Sequence, residues 1–242
     1  MAGAWAELQS NFFLYAYMHG GAIFTLTLCG LALGIRDDRL REHYHRLIIQ
    51  RRLLSIKNRQ LSRLSITDRL TGLANYFRLH EVLALEFKRA RRYGLDLCVI
   101  LADIDHFKKI NDRFGHLFGD FVLYELGQVF AASRRETDYV ARTGGEEFCF
   151  ILTQTNVTDA IHFAERLREA AGKSKFEHGG YRAEVTLSAG VASVHDVPEG
   201  VADDSGKVLL KMADEALYDA KRRGRNCVVR YQAQPVEALA SA

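Results

Sequence analysis

The chain has 242 residues, enough for one ordinary domain with an appendage, and its 48% apolar composition can fill a core without a disulfide scaffold. Cys29, Cys98, Cys149 and Cys227 form no CxxC pair and no zinc-type spacing with the nine histidines, which fits a reducing compartment. The formal charge of +3 is local: residues 36–66 hold nine Lys/Arg against three Asp/Glu, and residues 67–242 hold 24 against 26, which argues against a DNA or RNA polymer as partner.

Within an N-terminal segment 1–35, residues 12–35 are 24 positions without a formal charge. As a helix they would measure roughly 36 Å, against about 30 Å of bilayer hydrocarbon, so a single membrane-spanning helix is expected. Only Glu7 precedes it with a charge, while Arg36, Arg39, Arg41, Arg46, Arg51 and Arg52 follow. The positive-inside rule then predicts a single-pass protein of the cytoplasmic (inner) membrane with its C-terminal side in the cytoplasm. Residues 36–66 read as a helical linker. Leu40, Leu47, Leu54 and Leu61 recur every seven residues, but the second seam (His43, Gln50, Lys57, Leu64) is poor, so either a weak coiled coil for homodimerisation or a plain amphipathic helix satisfies the pattern.

From Thr67 strands and helices alternate up to residue 232, and an alanine-rich tail, 233–242, reads as disordered. Asn75 to Tyr93 carries a helical period; Leu97 to Ala102 is the continuous apolar run of a buried strand. Val122, Leu126, Val129 and Phe130 mark a second helical face. Tyr139 to Thr143 and Phe148 to Leu152 flank Gly144-Gly145 as a hairpin. Ile161 to Ala171 predicts a helix, Val185 to Val191 a strand, and Lys207 to Arg222 a last helix. The sum is an α+β fold, helices packed on a mainly antiparallel sheet.

Asp103 and Asp105 close the apolar strand, where ionised side chains are costly unless paired or bound to a cation. Glu146 and Glu147 stand at the hairpin tip behind two glycines that permit a tight turn. Brought together, the two acidic groups would form an oxygen-only site suited to Mg²⁺ on a phosphate substrate; scattered surface carboxylates are the alternative. The loop after the strand leads into helical sequence, where backbone N–H groups and Lys108 can hold a triphosphate. Neither a Walker nor a dinucleotide-binding glycine pattern is present.

DIDHFKKINDRFGHLFGD (Asp103 to Asp120), RTGGEEF (Arg142 to Phe148), DRLTGLAN (Asp68 to Asn75) and ADEALYDAKRRGRN (Ala213 to Asn226) resemble the signature blocks of the GGDEF-domain diguanylate cyclases. The resemblance runs from about Ser65 to Arg230 and departs at Tyr76-Phe77, where the family usually has arginines. It implies a nucleotidyl-cyclase-like fold with a ferredoxin-like core, and condensation of two GTP molecules into cyclic di-GMP with release of pyrophosphate. By the same resemblance, Asp103, Glu146 and the carbonyl of Ile104 hold Mg²⁺, with Mn²⁺ as a substitute, and Glu147 and Lys108 join them in the catalytic group. Phe107, Asn111, His116, Asp120, Lys221 and Arg225 are the implied substrate-binding residues. Asp120 suits guanine N1–H and N2–H₂, and an amide at Asn111 suits O6 or N3. The attacking 3′-hydroxyl is activated either by Glu146 as base or by the metal with water as final proton acceptor.

Each domain would offer one GTP, so the reaction needs two domains face to face and the chain is expected to act as a homodimer. Arg135-Glu136-Thr137-Asp138 matches the RxxD of the family's inhibitory position, and Arg166 resembles its third member, implying cyclic di-GMP as an allosteric ligand as well as product. The rival is a catalytically dead nucleotide receptor using Arg135 and Asp138; the intact hairpin tip, Asp103 and Lys108 weigh against it.

Overall fold

A computed structural model describes residues 11, 12, 16–24, 26–28, 44, 47–53, 66–203 and 205–232. The chain divides into two compact units, Met1–Leu61 and Ser62–Ala242. In the first, residues 12, 16–24, 26–28, 44 and 47–53 are helical. Tyr17, Ile23, Phe24, Leu26 and Leu47 are exposed apolar side chains there. Among the described residues no helix is long and apolar enough to cross a membrane, so the expected span has no support in the fold. Its positions 13–15, 25 and 29–35, most of the linker and the tail 233–242 lie outside the described residues.

The second unit opens on a turn closed by Asp68, whose carboxylate accepts hydrogen bonds from the Thr71 N–H (2.9 Å) and hydroxyl (2.8 Å). Strand β1 (Ala74–Asn75) follows, and the Asn75 side chain caps helix α1 (Tyr76–Tyr93) by accepting from the Arg78 N–H. The helix buries Leu79, Val82, Leu83, Phe87 and Ala90, a stripe at spacings of three and four, and stops at Gly94 in the left-handed region.

The chain continues through β2 (Leu97–Ile104), α2 (Phe107–Phe114), α3 (His116–Ser133), β3 (Tyr139–Gly144), β4 (Glu147–Thr153) and α4 (Val157–Lys173). A small hairpin, β5 (Phe176–His178) and β6 (Tyr181–Ala183), precedes β7 (Leu187–Ser193), α5 (Lys207–Arg222) and β8 (Val228–Arg230). The main sheet has the order β1-β3-β4-β2-β7-β8. Its inner four strands, with α3 and α4 as crossovers, make the antiparallel ferredoxin-like core. The sheet is mainly antiparallel, as expected, and its short edges make it mixed, because β1 joins β3 and β8 joins β7 in parallel.

Alternate residues of the sheet feed two cores. Cys98, Ile100, Ala102 and Ile104 face the layer of α3 and α4, where Phe130 meets Phe148 and Phe150 edge to face at 4.9 and 5.5 Å. Leu97 and Val99 face the layer of α1 and α5, with Phe87, Ile151 and Met212. Asp103, two residues on in register with Val99 and Leu101, therefore opens toward α5. That helix lies so close to β7 that a Cβ at Gly190 would collide with the backbone at Ala213 and Leu217.

Candidate active site

The apolar pattern of β2 ends at Asp103, which pairs in register with Glu147 at the start of β4. The Ile104 N–H donates to the Glu146 carbonyl at 3.3 Å, which ties the hairpin tip to the strand end. Between the strands Gly145 has φ +53°, a left-handed turn that a side chain would strain. The tip is braced from outside by Arg142. Its Nε and Nη2 donate to the Gly145 carbonyl at 2.9 and 2.6 Å, and its Nη1 pairs with Asp68 at 3.2 Å. Burial pushes the Asp68 carboxyl up, but the bonds from Thr71 and the Arg142 guanidinium outweigh it and hold the group below the usual range.

Asp103 is only 7% exposed. Burial pushes its carboxyl above the ordinary range, the Lys221 ammonium opposes this, and the charges of Glu146 and Asp105 add to the rise. Glu147 is raised in the same way, by burial first and then by Asp103, with Asp214 and Glu146 contributing. Lys221 reaches from the last turn of α5 to place Nζ 2.9 Å from Asp103 Oδ2. Carboxylates that repel one another at a half-buried strand end, with a cation already drawn to them, fit a positive ion. Among the described residues no three His, Cys, Asp or Glu side chains are placed to hold a metal by themselves. The fit is thus to an ion such as Mg²⁺, which takes one or two carboxylates, keeps waters and completes its shell with phosphate oxygens.

Asp105 behaves differently from expectation. Its oxygens accept from the Thr186 hydroxyl (2.7 Å), the Ser188 hydroxyl (2.6 Å) and the Asn226 N–H (3.0 Å), so the buried charge needs no cation. Through Asn226 it fixes the turn after α5, where Arg225 sits at φ +68°, and so sets where Arg225 starts from.

The other expected substrate residues gather on the corner between α2 and α3. His106 begins α2 in the left-handed region with no side-chain cap, and Lys108 is exposed in its first turn. Asn111 Oδ1 is buried without a hydrogen-bond partner among the described residues. It rests on Gly119, where a Cβ would collide with it. His116 and Asp120 lie exposed on the first turns of α3. The Phe107 ring is 5% exposed and belongs to the core, so this residue can meet a ligand through its backbone.

At the far end of β3, Arg135, Asp138 and Arg166 line one cavity of about 160 Å³, with Asp159, His162 and Phe163. Asp138 is 3% exposed; its Oδ2 accepts from the Arg135 N–H at 3.2 Å and its Oδ1 has no partner among the described residues. Burial is the main force raising its carboxyl, against the bond from Arg135. The three expected members of the inhibitory site are therefore neighbours. Sequence reasoning missed the Arg142–Asp68 clamp and the Lys221–Asp103 pair; the only signal for them was their place inside the signature blocks.

The fold and the strand-end carboxylates together define a cyclase-like α+β domain. The chain belongs to the GGDEF-domain diguanylate cyclase family, whose model matches residues 65–227. It is 42% identical over 162 residues to diguanylate cyclase DgcP of Pseudomonas aeruginosa, a match that covers 67% of this chain and 23% of that protein. The GGDEF domain of DgcB from Caulobacter crescentus, in complex with c-di-GMP, superposes with a TM-score of 0.64 at 31% identity over 69% of this chain and 94% of that one. Diguanylate cyclase SiaD from Pseudomonas aeruginosa, in complex with its activator SiaC, superposes with a TM-score of 0.63 at 32% identity over 95% of this chain and 87% of that one.

Proposed function

We propose that this chain is a diguanylate cyclase that condenses two GTP molecules into cyclic di-GMP, with a divalent ion, Mg²⁺ or in its place Mn²⁺, held by Asp103, Glu146 and the Ile104 carbonyl. The observation that carries the reading is the β2–β4 register, which sets Asp103 against the hairpin tip. Bound there, the ion would spread the charge of the α and β phosphates. Lys108, Lys221 and Arg225 bind the triphosphate from α2 and from the end of α5. The Asp120 carboxylate accepts guanine N–H groups, a demand adenine cannot meet in the same way, and the Asn111 amide donates to O6 or N3. Glu146, held by the Arg142 brace, orients the reacting end, and Glu147 keeps the field negative beside it.

The 3′-hydroxyl of one GTP attacks the α-phosphorus of the other, the bond to the bridging oxygen of the β-phosphate breaks, and pyrophosphate leaves. The hydroxyl proton passes to water. One site holds one nucleotide, so two copies must meet for both bonds to close, and the chain acts as a homodimer. Chromatography after incubation with GTP and Mg²⁺ tests this. Cyclic di-GMP from the wild type and a loss of at least about a hundredfold in Glu146→Gln is the expected result, since charge stabilisation at a metal amounts to several kcal/mol and each 1.4 is tenfold. Equal turnover in both proteins would refute the assignment.

The cavity at Arg135, Asp138 and Arg166 supports product inhibition: two guanidinium forks suit guanine edges and phosphates, and the unpaired Asp138 oxygen suits guanine donors. Added cyclic di-GMP should slow the wild type and leave Arg135→Ala at full rate.

For the N-terminal unit the proposal is a single-pass anchor in the cytoplasmic membrane with the catalytic domain in the cytoplasm, supported by the uncharged stretch 12–35 and the arginines after it. A partner-docking role is the second reading. It is favoured by a likeness to SiaD, crystallised with an activator protein, that extends over 95% of this chain. Recovery in the membrane fraction that resists high salt and alkaline washing supports the anchor; recovery in the soluble fraction supports docking.

A further inference from the structure

The ion pair between Lys221 and Asp103 has a consequence for the order in which metal and nucleotide enter. Lys221 Nζ lies 2.9 Å from Asp103 Oδ2, the side chain of the lysine about a third exposed and that of the aspartate a tenth. A metal bound to that oxygen would meet an ammonium at contact distance, two positive centres on one carboxylate. Of the groups acting on Asp103, Lys221 supplies the favourable charge, while Glu146 and Asp105 oppose it. Withdrawing the ammonium without a replacement would leave a buried carboxylate beside like charges, the costliest arrangement for such a group.

Helix α5 itself is not free to retreat, since it is packed backbone to backbone on β7 at Gly190. Any exchange is therefore made by the lysine side chain, a point charge on a flexible four-carbon stem that can turn from the carboxylate to an anion in front of it. A triphosphate is such an anion; a hydrated metal ion is not.

We propose that Lys221 is an interlock: it denies Asp103 to a divalent cation arriving alone and releases it only when a nucleotide triphosphate gives the ammonium another partner. The inference rests on the metal reading above and adds to it that metal and GTP bind as one unit. Lys221 thereby positions the metal through Asp103 in addition to contacting phosphate.

The test is Mn²⁺ binding to the full chain, followed by electron paramagnetic resonance, without nucleotide and with αβ-methylene GTP. Without nucleotide the wild type should bind Mn²⁺ weakly, and Lys221→Met should bind it at least about tenfold more tightly, an estimate for a unit charge discounted for partial exposure. Lys221→Arg, which keeps the charge, should stay near wild type. Lys211→Met, which removes an exposed lysine of the same helix, should not change it. Adding Asp103→Asn to Lys221→Met should abolish the gain. If Lys221→Met binds Mn²⁺ no more tightly than wild type while both bind it with the analogue, the interlock is overturned and the metal site stands. If Mn²⁺ binds neither protein even with the analogue, the metal reading falls and the interlock with it.

Discussion

The end of the candidate site proposed to take phosphate stands on the sheet, with Asp103 closing β2 and the hairpin tip across from it, whereas the end proposed to take guanine stands on the corner between α2 and α3. At the first, three carboxylates and one lysine are set against one another, and burial raises Asp103 and Glu147 above their ordinary range. At the second the control is steric: Asn111 fits because Gly119 has no side chain, and its buried oxygen lacks a partner among the described residues. One end is proposed to hold unfavourable charge until an ion neutralises it. The other is proposed to read the base through the Asn111 amide seated on Gly119. Substitutions should separate the two, with rate and stability moving at the sheet end and affinity moving at the helix end.

The largest separation is expected at the brace. Arg142→Ala removes both bonds to the Gly145 carbonyl and the pair with Asp68, so the tip loses its fixed position. By analogy with groups that orient metal ligands, turnover should fall about 10–100-fold with KM for GTP little changed. A change in KM alone would show that the brace acts on GTP binding and not on the reacting end. Gly119→Ala should do the reverse. Its methyl displaces the Asn111 amide, and the loss of one hydrogen bond to the base predicts a KM for GTP raised about tenfold, with kcat within a few-fold. A KM unchanged by this substitution would mean that Asn111 does not read the base.

The smallest effect sharpens the electrostatic side. The folded-state value of Asp103 lies above the ordinary 3.8, so the folded chain holds that proton more tightly than the unfolded one. Stability contributed by the protonated form is present at low pH and declines as pH rises from 3.8 through the raised value. At neutral pH the neutral isostere should relieve the strain: Asp103→Asn, inactive in turnover, should melt about 2–4 °C above wild type, equivalent to ~1 kcal/mol in a chain of this size. A lower melting temperature in calorimetry would show that the Lys221 pair outweighs burial.

What could be read from the sequence follows the strength of each local pattern. The apolar run at Leu97, the periodic face of α1 and the whole of α5 announce themselves, because long segments repeat their signal many times. The β5–β6 hairpin and β8 do not: strands of three residues carry no alternation, and they form because larger elements leave edges and ring surfaces to cover, as where Tyr181 packs on Phe114 at 5.6 Å. Asp105 illustrates the limit at the site. Beside Asp103 it reads as half of a cation site, and only the fold brings Thr186 and Ser188, 81 and 83 residues later, to satisfy it. The Arg142–Asp68 pair, 74 residues apart, is hidden for the same reason. The expected membrane helix rests on composition, and composition cannot distinguish lipid from another protein as the surface that covers Tyr17, Ile23 and Phe24.

Asp103 and Glu146 are proposed to serve one ion on one nucleotide. Mn²⁺ affinity in the presence of αβ-methylene GTP, compared across Asp103→Asn, Glu146→Gln and the double variant, tests this most directly. A shared ion predicts strong coupling, with each single variant losing most of the affinity and the double losing little more. Losses that simply add, or a Glu146→Gln that binds like wild type, would contradict it.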